Sequence, residues 1–288
     1  MIFLPPGLLY DEGVIQGGIF VKKILIVLGV VCSFLLSGCT SASNTKKITL
    51  NGSTSMQKLV TAVGESFSND NTAYTVESQF TGSSAGIEAV LSGTALIGTS
   101  SRDLKSEETA KGLVANVVAI DGIAVIVNPS NGVKNVTKQE LSDIYTGKIK
   151  NWKDLGGKDE RIVVLGREAS SGTRTSFEEL LKIENKCVYA QEIDNTGAVA
   201  AKVGSISGAI GYVGLDALSD NVRALKIDGV ACNATTIKKK AYFLQRNFIM
   251  VTKGPLSKQS TDVQKFFAYI RSSKGQTIIK NVGLVGAE

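Results

Sequence analysis

Arg167, Ser170, Ser171, Gly172 and Thr173 share one short segment, Leu165-Gly-Arg-Glu-Ala-Ser-Ser-Gly-Thr-Arg-Thr-Ser-Phe177, and their types suit one chemistry. An apolar run, Arg161 to Leu165, reads as a strand, and Phe177 to Leu181 reads as the buried stripe of a helix opening at Ser170 to Thr173. A helix N-terminus presents backbone N–H groups without intrahelical partners and a partial positive charge. Small hydroxyl residues add donors, and an arginine adds a planar charged fork. Together they make a site for a tetrahedral oxyanion. Taken alone, the segment reads equally well as an ordinary N-cap beside a surface arginine, so the rest of the chain must decide.

The same chemistry recurs. Ser53-Thr54-Ser55, Gly82-Ser83-Ser84-Ala85-Gly86 and Thr99-Ser100-Ser101-Arg102 each follow a run that reads as a strand. Several such turns converging could replace an oxyanion's hydration, each charge-assisted hydrogen bond being worth roughly 1.5–3 kcal/mol. Several are needed, because a desolvated divalent ion is costly to bury. Gly82 to Gly86 also matches the Gly-x-Ser-x-Gly nucleophile elbow, but a serine nucleophile needs a base. The chain has no histidine, and no Ser-x-x-Lys motif stands in. Serine and cysteine hydrolase triads and His-bearing zinc sites are thereby excluded. A binding role is expected, with no catalytic residue, no metal and no cofactor.

The elements that must position these turns follow from pattern. Lys47–Leu50, Tyr74–Phe80 and Ala95–Gly98 read as strands, and helical stripes follow the first two at Met56–Val63 and Ile87–Leu91. This is α/β architecture with a largely parallel sheet, whose ligands collect at the carboxyl ends of strands. Val114 to Asn128 is a β-rich stretch long enough to cross between two lobes, and Ala241 to Thr252 reads as its return. Thr137 and Glu140 form a capping box for a helix ending at Tyr145. Further elements are a short helix over Gly197–Val203, a strand over Ala209–Val213 and a helix over Thr261–Ser272.

The 288 residues are 43% apolar, enough for one large or two modest cores. The formal charge is +6, but the lysines are dispersed and aromatics do not interleave with them, so no nucleic-acid partner is expected. Lys22-Lys23, an apolar run over Ile24–Leu35 and Leu36-Ser-Gly-Cys39 make a leader. That run is shorter than the ~20 residues a spanning helix needs. Leu-Ser-Gly-Cys resembles a bacterial lipobox, which makes 21–38 a lipoprotein signal peptide, Cys39 the lipidated residue and 39–45 a flexible tether; an uncleaved membrane anchor is the alternative. Residues 1–20 do not fit a signal peptide, since Asp11 and Glu12 precede the basic pair. A start at Val21 is expected. Cys187 and Cys232 remain in the exported part, where a disulfide is chemically open to them.

With these residues in hand, the chain resembles the phosphate-binding proteins of bacterial phosphate ABC transporters, a family of two-lobed periplasmic-type binding proteins. The resemblance runs from about Lys46 to the C-terminus. It rests on Gly52–Ser55, Gly82–Gly86, Ile97–Arg102, Asp121–Asn128, Ile144–Trp152, Gly166–Thr173 and Gly208–Gly214, in that order. It implies a type II binding-protein fold, each lobe a mixed, mostly parallel sheet flanked by helices, with the ligand between lobes. Lobe 1 would comprise 46–125 and 235–288, and lobe 2 would comprise 126–234. It implies inorganic phosphate as ligand and a permease and ATPase as partners. It also implies a monomeric protein, lipid-anchored on the outer face of the cell membrane. Carried over by position, the anion contacts fall on Thr54, Ser55, Ser83, Arg167, Ser171, Gly172 and Thr173.

The best-known members of that family have an aspartate at the place of Ser101, where it accepts a hydrogen bond from the phosphate's proton and so rejects fully ionised sulfate. This chain resembles the branch with Ser-Ser-Arg. Either Asp121 takes over part of that role or Arg102 adds an anion contact; a turn or hinge aspartate is the other reading of Asp121. Rival functions are the same fold binding sulfate, molybdate or a phosphonate, a phosphate-sensing or adhesive lipoprotein, and a phosphoester hydrolase.

Overall fold

The computed structural model describes residues 45–287; the expected leader, Cys39 and residues 40–44 lie outside them. Among the described residues no helix is long and apolar enough to cross a membrane.

The chain begins β1 (Lys46–Gly52), α1 (Gln57–Asp70), β2 (Tyr74–Gln79), α2 (Ser83–Leu91), β3 (Ile97–Ser100), α3 (Ser106–Ala110) and β4 (Leu113–Val127). It continues β5 (Asn135–Val136), α4 (Lys138–Tyr145), β6 (Val163–Arg167), α5 (Gly172–Leu181), β7 (Gln191–Ile193), α6 (Thr196–Ser205) and β8 (Ala209–Gly214). It closes with β9 (Arg223–Ala224), β10 (Lys226–Ile227), α7 (Ala234–Lys238), β11 (Gln245–Lys253), α8 (Thr261–Arg271), α9 (Ser273–Asn281) and β12 (Val285–Gly286).

The main strands form one continuous sheet in the order β2-β1-β3-β11-β4-β8-β6-β7. At one end β1 runs parallel to β2 and β3. At the other, β6 runs parallel to β7 and β8. The antiparallel partners β4 and β11 lie in the middle and join the two halves. The lobes therefore share a sheet through two strands, the two β-rich runs expected to cross between them.

Each half has its own apolar core. The first gathers Leu50, Leu59, Phe67, Ile97, Phe248, Phe266 and Ile270. The second gathers Ile123 to Val127, Ile144, Trp152, Phe177, Ile210, Tyr242 and Leu244. Strand β4 has Ala119 in the first core and Ile123 in the second, while β11 has Phe248 in the first core and Leu244 precedes it in the second. The crossings thus fall near residues 120–122 and 245–247, whereas sequence placed them at 125/126 and 234/235. The return is later because Ile237, Tyr242 and Leu244 still pack in the second core.

The strand ends carry the polar turns. Helix α2 lies close on β1 because residue 86 is glycine: a Cβ there would sit 2.4 Å from the Asn51 carbonyl oxygen. That contact sets the Ser83 turn against the Ser53–Ser55 turn.

Candidate functional site: a hydroxyl ring between the lobes

Strand β6 ends at Arg167, and the chain turns through Glu168–Ser170 into α5. Ser171 is the N-cap, its Oγ accepting the Arg174 N–H. Accepting that bond leaves the Ser171 O–H free to donate, and Gly172 and Thr173 present the first turn. A helix start here leaves backbone N–H groups directed at the junction.

Arg167 is almost fully buried. Its Nε donates to the Ile193 carbonyl at 3.0 Å and its Nη2 to the Asp194 carbonyl at 2.9 Å. The guanidinium then reaches Thr196 Oγ1 at 3.2 Å and, across the junction, Thr54 Oγ1 at 3.1 Å. Glu168 accepts from the same Nη2 at 3.1 Å. Burial lowers the Arg167 pKa, and the Glu168 charge opposes that shift. Behind the arginine, the Tyr212 hydroxyl accepts its backbone N–H at 3.2 Å, and Tyr212 stacks on Phe177.

The hydroxyls of both lobes meet in front of it. Ser55 Oγ lies 2.7 Å from Thr173 Oγ1 and 3.0 Å from Thr196 Oγ1, and Thr54 Oγ1 lies 3.1 Å from Thr196 Oγ1. Ser53 Oγ donates to Ser101 Oγ at 2.9 Å, and Ser83 Oγ sits 3.3 Å from the same atom. Gly172 packs on this second group: a Cβ there would lie 2.3 Å from Ser83 Oγ and 2.8 Å from Ser101 Oγ. Thr54, Ser55, Ser83, Ser101, Arg167, Gly172 and Thr173 are thereby brought together. Thr54, Ser55, Thr196 and Lys58 also line an open cavity of about 440 Å³ beside the ring.

Two expected contacts are corrected. Both terminal nitrogens of Arg102 are engaged by Glu108, at 2.7 and 2.8 Å, and they also reach the Asp103 carbonyl and Ser84 Oγ. The fork an anion would need is taken. Burial works against the Glu108 charge, but the hydrogen bonds from Arg102 and the Lys105 N–H outweigh it and hold its pKa low. Asp121 is fully buried and faces Arg246, whose Nε and Nη2 lie 3.0 and 2.8 Å from one carboxylate oxygen; the other oxygen accepts the Leu215 N–H. Strands β4 and β11 place Asp121 and Arg246 opposite each other at the crossing, which fits the hinge reading of Asp121. Cys187 and Cys232 are free thiols.

Thr196, Arg246 and Glu108 were missed. Thr196 had a legible signal, because Asn195-Thr-Gly197 repeats the pattern of strand, small polar turn and helix. Arg246 sits inside a β-rich run and Glu108 in a short charged helix, with no pattern to mark either.

The chain is similar to known proteins over most of its length. A family model described as the PBP superfamily domain matches residues 38–274. The "Phosphate-binding protein PstS" of Bacillus subtilis is 34% identical over 286 residues, covering 92% of this chain and 93% of that protein. The protein of the same name from Borreliella burgdorferi is 30% identical, covering 92% and 99%. A Clostridium perfringens crystal structure with bound phosphate, described as a phosphate ABC transporter substrate-binding protein, superposes with a TM-score of 0.81 at 38% identity, covering 84% of this chain and 100% of that one. With the fold, the turn chemistry and relatives matched over nearly their full length, the chain belongs to the PstS phosphate-binding proteins of the PBP superfamily.

Proposed function

We propose that this protein captures inorganic phosphate between its two lobes and hands it to the permease of an ABC transporter. The observation that carries this reading is the ring itself: Arg167 of one lobe bonds Thr54 of the other, amid hydroxyls from five turns. A tetrahedral anion with several oxygens suits donors converging from two sides. The relatives named as phosphate-binding proteins, one crystallised with phosphate, support the choice of anion. Thr54, Ser55, Ser83, Ser101, Arg167, Ser171, Gly172, Thr173 and, in addition, Thr196 form the binding set. Ser171 also caps the helix that holds Gly172 and Thr173, while Arg102 is part of the frame and Asp121 a hinge residue.

The protein works outside the cytoplasm as a monomer, anchored through lipid on Cys39, and performs no covalent chemistry. The test is a thermal-shift panel with phosphate, sulfate and molybdate on residues 45–288. A ligand at ~100 times its Kd stabilises by about 2.7 kcal/mol. Stabilisation by phosphate is expected; stabilisation by sulfate or molybdate without phosphate would overturn the assignment. That outcome is the second reading, favoured by one observation: Ser101, a hydroxyl, stands at the jaw where a carboxylate would repel fully ionised sulfate.

A further inference from the structure

The lobe junction holds two buried carboxylates against one guanidinium. Arg246 spans the crossing: besides its two bonds to Asp121, its Nη1 donates to the Ser101 carbonyl at 3.2 Å. It therefore ties the Ser101 jaw of lobe 1 to Asp121, and Asp121 ties on to the Leu215 N–H of lobe 2. The second carboxylate is Asp216, in the turn that follows β8. Its Oδ1 is buried and has no hydrogen-bond partner among the described residues. It faces Asp121 over Gly214: a Cβ on that glycine would lie 2.8 Å from Asp216 Oδ1 and 3.1 Å from Asp121 Oδ2. Asp216 also belongs to the wall of the cavity that Thr54, Ser55 and Thr196 line.

We propose that Asp216 is a proton-binding control residue for the anion site, protonated when phosphate is held tightly and repelling phosphate when ionised. This rests on the phosphate reading above. With both carboxylates ionised, Arg246 is bonded to Asp121, and Lys58 bonds the Asp216 carbonyl rather than its carboxylate, so the Asp216 carboxylate charge stays unpaired beside the hydroxyls that must accept an anion. Uptake of one solvent proton by the Asp216 carboxylate removes that charge and supplies an O–H at the orphaned edge. Burial, followed by the Asp121 charge, raises the Asp216 pKa to about 7. The other charged or titratable groups around the pair are Arg246 from β11, Lys58 from α1, whose Nζ donates to the Asp216 carbonyl at 3.2 Å, and Cys232 and Tyr242 beside Asp121. Glu65 lines the same cavity. Burial raises the pKa of both Cys232 and Tyr242, which keeps them neutral near pH 7; it also raises that of Asp121, but both Asp121 oxygens are already held by Arg246 and the Leu215 N–H, so the proton goes to the orphaned Asp216 edge.

The sign follows. A bound anion favours protonated Asp216, so affinity falls as pH rises through neutrality, in addition to any effect of phosphate's own titration. The test compares wild type with Asp216→Asn by calorimetry with inorganic phosphate at about pH 6 and about pH 8. Phosphate's titration is common to both proteins and cancels in their ratio. Wild type is expected to lose about threefold more affinity than the variant over that range; parallel losses would overturn the coupling. Melting without phosphate tests the proton alone. Asp216→Asn should gain stability over wild type at about pH 8 relative to about pH 5, and an unchanged difference would overturn the proton site. If wild type binds no phosphate at either pH, the functional reading fails and the coupling with it, while melting still decides the proton. Asp216→Ser serves in both measurements should Asp216→Asn not fold.

Discussion

Arg167 is held before any ligand arrives. Its guanidinium is aimed by the Ile193 and Asp194 carbonyls, and its backbone N–H is fixed on Tyr212. Preorganisation of this kind removes the ordering cost of a long side chain from binding. Arg167→Gln should therefore weaken phosphate binding by about 10- to 100-fold, the range of one or two charge-assisted bonds. Arg167→Lys should recover part of that loss, because a point charge cannot reproduce the fork. Calorimetry checks both, and unchanged affinity in Arg167→Gln would remove the arginine from the site. Gly172 yields a prediction of the opposite kind. Gly172→Ala adds no charge and removes none, yet its methyl would meet the Ser83 and Ser101 hydroxyls at 2.3 and 2.8 Å. It should weaken phosphate binding with little loss of melting temperature. Ser101→Asp should raise the phosphate-to-sulfate affinity ratio, since a carboxylate accepts a hydrogen bond from protonated phosphate and repels an ion that has no proton to donate. An unchanged ratio would show that Ser101 does not face the anion.

At the scale of elements, local signals explain what was legible. The Thr137–Glu140 capping box starts α4 where expected, with Thr137 as N-cap. The 15-residue β4 matches the β-rich run from Val114 to Asn128. The Ser/Thr/Gly turns were legible because small hydroxyl residues after an apolar strand have a local reason to be there, capping or anion donation. The destinations of the two other arginines were not. Where Arg102 points depends on Glu108, six residues along the chain, and what Arg246 holds depends on the register of two strands far apart in sequence. Lobe boundaries moved for a related reason: one β-strand runs through both cores, and its pattern carries no mark at the change. The Arg102–Glu108 pair leads to a further prediction. Its depressed Glu108 pKa stabilises the fold above the ordinary glutamate value and is lost as pH falls through the lower folded one. Glu108→Gln should flatten the acid limb of the melting profile and free the Arg102 fork next to Ser84. An acid limb identical to wild type would rule out this contribution.

At the scale of the molecule, two strands and a ring of hydroxyls connect two separately cored halves. The strands pass through the hinge, where Asp121 and Arg246 form the tie, and the ring lies where the polar turns of both halves meet. Each half can keep its own core while the angle between them changes, so closure needs little more than small torsional adjustments near residues 120–122 and 245–247. A ligand shifts such an equilibrium only by binding one state better. In the proposed site, phosphate held by Arg167 and Thr173 on one side and by Thr54, Ser55 and Ser83 on the other would have its full set of donors in the closed state alone. Solution scattering should therefore record a smaller radius of gyration when phosphate is added. Replacing Thr54 and Ser55 by alanine leaves the second-lobe contacts and Ser83 in place and removes those of the first turn, so that variant should retain weak phosphate binding with reduced compaction. Full compaction in the variant at saturating phosphate would mean that closure is driven by contacts other than the hydroxyls of the first turn.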